Sequence, residues 1–141
     1  MRDLLLLTSD ELEERFRSSP AGELPDGEVD GIFVVVPVFG VSKLASKLIR
    51  LVAWRGKVFD RQKGDVVNKV LPLGVRAVRA KVYKEPSWFD GKETIVLDYS
   101  KTSFLARKVR DEIREIAPGL YLGVVFWGRE KVGLFALELS G

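Results

Sequence analysis

The sequence predicts a mainly β protein: an antiparallel barrel of about seven or more strands, with about three helices covering it. Three observations carry this. Asp90-Gly91 stands just before the strand-like run Glu93–Tyr99, and Asp-Gly is a strong local signal for a tight turn between antiparallel strands. Leu120–Trp127 and Val132–Leu139 face each other across Gly128, Arg129, Glu130 and Lys131, and both are apolar at almost every position. A strand wetted on one side alternates, so both faces of these two should be covered. Short turns join most of the strand-like runs, which favours antiparallel neighbours because parallel ones need long crossovers.

The elements follow in order. Thr8 is placed to cap a helix over about 9–18, with Asp10 and Glu11 in its first turn, Leu12 and Phe16 on one face, and Ser18, Ser19 and Pro20 at its end. The stretch 21–27 contains Pro25-Asp26-Gly27 and reads as a loop. Residues 1–27 are expected to pack on the barrel as a helix and loop, within one domain spanning 1–141. The β-branched run Ile32–Val36 reads as a buried strand. Ser42 caps a second helix, near 42–53, with Leu44, Leu48, Leu51 and Val52 on one side and Lys43, Lys47 and Arg50 on the other.

Trp54–Asp60 and Asp65–Leu71 read as strands about the turn Arg61–Gly64, and Pro72-Leu73-Gly74 forms the next turn. Val75–Tyr83 alternates, with Val78, Ala80 and Val82 on one face and Arg79, Lys81 and Tyr83 on the other, as a half-buried strand does. Pro86 breaks it or puts it at an edge. After the strand Glu93–Tyr99, Ser100 or Thr102 caps a third helix over 102–116. Its apolar face is Leu105, Val109, Ile113 and Ile116, and Ala117, Pro118 and Gly119 stop it.

Composition bounds the function. The chain has 141 residues and neither cysteine nor histidine. It is long enough for a self-sufficient core. No disulfide, thiolate nucleophile, catalytic imidazole or ordinary zinc site is available to it. No metal is expected and no cofactor is indicated; acid–base work would fall to Asp, Glu, Tyr or Lys. Gln62 and Asn68 are the only side-chain amides among many Lys, Arg and Glu residues, a balance associated with thermophiles. The net charge of +3 is small and spread along the chain, so nucleic acid is not expected as a partner. Leu4–Leu7 is too short for a signal core, and Ile32–Phe39 is interrupted by Pro37, well short of the roughly 20 residues of a membrane span. A cytoplasmic protein without stable membrane insertion is expected. The oligomeric state is open, a homodimer included.

Gly31…Pro37, a helix, Trp54-Arg55-Gly56-Lys57-Val58-Phe59 and an extended Val82–Asp90 follow in that order, and Leu134-Phe135-Ala136-Leu137-Glu138 closes the chain. This succession resembles small bacterial domains of unknown function with a lipocalin-like (calycin) barrel, related to those named for a GxWxG signature. The likeness spans roughly 27 to 139. The opening GxWxG is absent, and the charged segment 102–116 departs from the pattern. The resemblance implies a barrel around a hydrophobic pocket and brings no reaction with it.

The site candidates follow. Asp98 stands in an otherwise apolar strand in phase with Thr94 and Val96. Turned into a pocket, its carboxylate would have a raised pKa and serve as a general acid or base, with Tyr99 orienting the substrate. Paired with an arginine, or capping the backbone that follows, it would be structural. Arg107, Arg110, Asp111, Arg114 and Glu115 form either a solvated ion-paired helix face or a guanidinium site for an anionic group. Trp54, Phe59, Tyr83, Trp88, Tyr121 and Trp127 are the aromatic candidates for a ligand wall. The leading expectation is a small hydrophobic ligand in the barrel. Two alternatives stand beside it: a cofactor-independent isomerase, cyclase or hydratase using Asp98, and an adaptor that meets a membrane or partner through the basic helix near 42–53.

Overall fold

The computed structural model describes residues 1–35, 56–68, 79–102 and 106–140. Trp54, the helix expected near 42–53 and the turn at 72–74 lie outside these residues. A short 3-10 turn, Arg2–Leu6, leads into helix α1, Ser9–Ser18. Thr8 caps α1 reciprocally: its hydroxyl accepts from the Glu11 amide at 3.1 Å, and its own amide donates to the Glu11 carboxylate at 2.9 Å. Two otherwise orphaned backbone donors are thereby satisfied at the helix start.

Eight strands follow among the described residues: β1 Gly27–Val35, β2 Lys57–Asp60, β3 Asp65–Asn68, β4 Arg79–Pro86, β5 Glu93–Asp98, β6 Val109–Ala117, β7 Leu120–Trp127 and β8 Glu130–Leu139. Each strand pairs with the next, every pairing is antiparallel, and β1 closes on β8 to complete a barrel. Closure pairs both sides of every described strand, so among the described residues no strand is left as a sheet edge.

The two apolar closing strands are covered twice, as expected. Tyr121, Val125, Phe135 and Leu137 point into the barrel. Leu122, Val124, Phe126, Leu134 and Ala136 point outward and pack with Leu4, Leu12 and Phe16. The N-terminal segment thus forms a second core on the outside of the barrel, and its burial explains the missing alternation.

The helix expected over 102–116 is not present: β6 occupies Val109–Ala117. Val109 and Ile113 are four apart, and four is both about one helical turn and two strand periods. Pairing settles the choice, with Ile113 opposite Ile95 on β5 and Gly123 on β7. The charged residues between are tolerated in a buried strand because the arginines and Glu112 are partnered. The fully buried Arg114 guanidinium donates to both Asp90 oxygens at 2.6 Å, to the Phe16 carbonyl at 2.9 Å, and to the Lys92 and Glu93 carbonyls. Arg110 donates to Glu112 and Glu85. Asp111 is fully buried and points inward toward Lys57 rather than lying on a solvated helix face. Among the described residues α1 is the one α-helix, where about three covering helices were expected.

Candidate functional site

Side chains alternate across a strand, and this divides the sequence candidates into two groups. Phe59, Tyr99 and Tyr121 are buried in the inner cluster, and Trp127 packs against it part-buried. Tyr83 and Asp98 lie outside, where the Tyr83 hydroxyl donates to Asp98 at 2.8 Å. Trp88 is also outside and 38% exposed. Asp98 and Tyr99 are therefore on opposite faces of the wall and do not act on one substrate together. Of the two readings open to Asp98, the structure shows the backbone cap: it accepts from the Ser100 amide and is not a raised carboxylate. Burial pulls its pKa upward, but the Ser100 hydroxyl and amide and the Tyr83 hydroxyl outweigh burial and hold it below the ordinary value.

Tyr83, Trp88 and Asp98 share an outer groove of about 540 Å³ with Glu85, Arg107, Lys108, Arg110 and Arg129. The guanidinium carbons of Arg110 and Arg129 each lie 4.1 Å from the centre of the Trp88 ring, at cation–π distance. Four cations against two carboxylates suit an anion. Both carboxylates and Arg110 already have protein partners.

The barrel interior holds a polar cluster of which the sequence candidates include only Tyr99 and, as part of a charged helix face, Asp111. Lys57 opens β2, Asn68 ends β3, Tyr99 follows β5 and Asp111 is the third residue of β6. Antiparallel alternation brings these strand ends to the same end of the barrel. All four residues are buried, Lys57, Tyr99 and Asp111 completely. Lys57 Nζ donates to Asn68 Oδ1 at 2.5 Å and to the Tyr99 hydroxyl at 3.0 Å. Asn68 Nδ2 also donates to the Tyr99 hydroxyl, at 3.0 Å.

Asp111 is the exception. Its nearer oxygen is 3.7 Å from Lys57 Nζ, and neither oxygen accepts a hydrogen bond among the described residues. Burial pushes the Asp111 carboxyl up to about 6, opposed by the Lys57 charge. Burial pulls Lys57 down to about 8, opposed by Asp111. Burial also holds the Tyr99 phenol well above its usual range, with the Asp111 charge adding to it. Burial thus works against the charge on both members of the pair, and each charge supports the other. Tyr121 sits apart, its hydroxyl donating to the Glu23 carbonyl at 2.7 Å.

Around this cluster the wall is apolar, with Phe33, Phe59, Val109 and Phe135 buried in the same inner core. A few polar groups converging in an apolar enclosure can orient a small molecule. No group of three acidic, histidine or cysteine side chains placed to hold a metal ion occurs among the described residues.

Lys57 escaped the sequence reading because strand β2 has an inverted pattern. Lys57 points in with Phe59, while Val58 points out and is 42% exposed. The one available signal was that Asn68, the chain's single asparagine, lies opposite Lys57 across a four-residue turn. Asp111 was hidden by the helical reading of β6.

No family model matches the chain, and no curated protein matches it. The crystal structure of a protein from Thermomonospora curvata is similar over 96% of this chain and 89% of that one, with a TM-score of 0.62 and 16% sequence identity. At that identity the likeness extends to the fold alone.

Proposed function

We propose that the protein binds a small, largely apolar molecule inside a lipocalin-like barrel, with the polar group of that molecule seated against Lys57, Asn68, Tyr99 and Asp111. One observation carries the reading: the Asp111 carboxylate is fully buried and neither oxygen has a hydrogen-bond partner among the described residues. A buried polar group without a partner costs about 1–3 kcal/mol, and more when charged. A ligand hydroxyl or N–H that donates to it would recover that cost. The surrounding core supplies apolar contact for the rest of the molecule, and a consecutive eight-stranded antiparallel barrel is the lipocalin arrangement.

This reading moves the polar contact from Asp98 to the interior and keeps Tyr99. An isomerase built on Asp98 is disfavoured, because that carboxylate faces out and is held ionised by its hydrogen bonds. The basic helix of the adaptor reading lies outside the described residues. No described helix is long and apolar enough to cross a membrane. The cytoplasm of a thermophile remains the proposed setting on composition.

The test is native mass spectrometry of gently purified protein, followed by thermal shifts with 1-decanol, dodecanoate and a polycyclic aromatic. A co-purifying small molecule, or a ligand present at about 100 times its Kd adding roughly 2.7 kcal/mol, supports the reading. The absence of both a bound mass and any shift across the panel overturns it.

A further inference from the structure

We propose that Lys57 is an amine nucleophile: an aldehyde or ketone on the molecule in the barrel condenses with its Nζ to form a reversible imine, and Asp111 carries the protons. This rests on the binding reading above and deepens it by naming the ligand's reactive group and the bond it makes.

Placement comes first. Lys57 is fully buried, whereas every other described lysine is exposed. Its amine is held by Asn68 Oδ1 and the Tyr99 hydroxyl, 2.5 and 3.0 Å away, so its direction is set before any ligand arrives. Phe135 and Tyr99 have ring centres 5.8 and 5.7 Å from Nζ. Such walls exclude the water that hydrolyses an imine.

The proton inventory is next. A lysine in an apolar pocket is activated because burial favours the neutral amine, and burial lowers Lys57 to about 8. At 3.7 Å the Asp111 oxygen is close enough to exchange a proton with Nζ after a small shift, yet it is committed to no other donor among the described residues. A purely structural ion pair gains most from satisfied lone pairs; this one leaves them open.

The step balances without an oxidant or reductant. A proton passes from the Lys57 ammonium to the Asp111 carboxylate. The neutral amine attacks the carbonyl carbon, forming the C–N bond and placing the carbonyl π electrons on oxygen. A proton then moves from nitrogen to that oxygen, giving the carbinolamine. Protonated Asp111 returns its proton to the hydroxyl, which leaves as water. A protonated imine on Lys57 remains beside the Asp111 carboxylate, so the net charge of the pair is unchanged. The Tyr99 hydroxyl, 3.0 Å from Nζ, is placed to hydrogen-bond the carbonyl oxygen during the attack.

The probe is decanal, with 1-decanol as its counterpart unable to form an imine. The full-length protein is incubated with decanal and cyanoborohydride, which reduces an imine to a stable N-decyl lysine, and the modified residue is mapped by peptide mass. Lys57 should be labelled at least about tenfold faster than any exposed lysine. Asp111→Asn should slow this labelling by about 10²-fold, the scale of a lost proton carrier. Labelling in urea, where all lysines are equally exposed, should lose the preference. That comparison needs no variant at Lys57, so the test does not depend on such a variant folding.

If decanol stabilises the protein but decanal labels Lys57 no faster than the exposed lysines, the imine is excluded while binding stands. If neither compound shifts the melting temperature and Lys57 is not preferred, both readings fall.

Discussion

Gly123 on β7 faces Phe135 on β8, and the Phe135 ring fills the space that a side chain at 123 would occupy. A Cβ on Gly123 would lie 2.3 Å from Phe135 Cζ, and Phe135 is fully buried. The ring cannot swing away without displacing the inner core, so Gly123→Ala should cost about 1–3 kcal/mol as overpacking. Phe135→Leu in the same chain should recover part of that loss. Urea unfolding of the two variants checks the coupling; independent, additive effects would contradict it.

The Lys57–Asp111 pair makes a different prediction for single and double substitutions. Removing one partner strands a buried charge, so Lys57→Met and Asp111→Leu should each destabilise by about 3–5 kcal/mol near neutral pH. Together they should restore wild-type stability or exceed it, because hydrophobic replacement of a buried pair is commonly neutral or favourable. Denaturant unfolding of the four proteins closes the cycle. A double variant weaker than both singles would show that the pair supports the barrel more than it burdens it.

The same pair has a pH signature. The Asp111 carboxyl is raised from 3.8 to about 6, so between those values the folded state holds a proton that the unfolded state has lost, and stability from this group falls as pH rises. Lys57 is lowered from 10.5 to about 8, so between 8 and 10.5 the unfolded state holds the extra proton, and stability rises with pH. The cost of the pair is therefore greatest between about pH 6 and 8. The stability advantage of the double variant should peak there and shrink toward pH 4 and pH 10.5. A flat difference across that range would refute the assignment of both shifts.

Arg114 and Asp90 clasp α1 to the barrel. Asp90 accepts two bonds of 2.6 Å from the guanidinium that also reaches the Phe16 carbonyl on α1. Asp90→Asn should cost about 1.5–3 kcal/mol, the range for hydrogen bonds to charged groups, with Arg114 keeping its carbonyl acceptors. Hydrogen exchange at the α1 amides should quicken. The Arg114 hydrogen bonds hold the Asp90 carboxyl below its ordinary value of 3.8. Its contribution is therefore present above pH 3.8 and lost as pH falls through the lower folded value.

The barrel was legible in the sequence because its evidence is collective. Seven of the eight strands, the capped helix α1 and the double covering of β7 and β8 follow from runs, turns and caps spread over many residues. Strand β6 was not legible, because Val109 and Ile113 fit either period and their charged neighbours looked like a wet face. Arg114 is in fact among the largest fully buried side chains, a burial that depends on Asp90 and on the Phe16, Lys92 and Glu93 carbonyls from other segments. Long-range pairing of this kind leaves no local trace. The site suffered the same way: Lys57 to Asp111 spans 54 positions, and only closure of the barrel brings them together.

Asp98 and Asp111 offer the cleanest discrimination between the face that was expected to carry function and the face that is proposed to. Asp98 accepts from the Tyr83 hydroxyl on one oxygen and from the Ser100 amide and hydroxyl on the other; an asparagine can keep the Ser100 bonds on its oxygen and donate its amide to the Tyr83 hydroxyl, which then accepts. Asp98→Asn should therefore cost about 1 kcal/mol at most and leave decanol stabilisation unchanged. Asp111→Asn replaces one carboxylate oxygen with a donor amide inside the barrel, beside a buried ammonium. A ligand group that donates to Asp111 then loses an acceptor, and the decanol shift should fall by the equivalent of about 1–3 kcal/mol. Thermal melts of both variants with and without decanol measure the contrast. Loss of the shift in Asp98→Asn with retention in Asp111→Asn would move the ligand to the outer groove, beside Trp88 and Arg129.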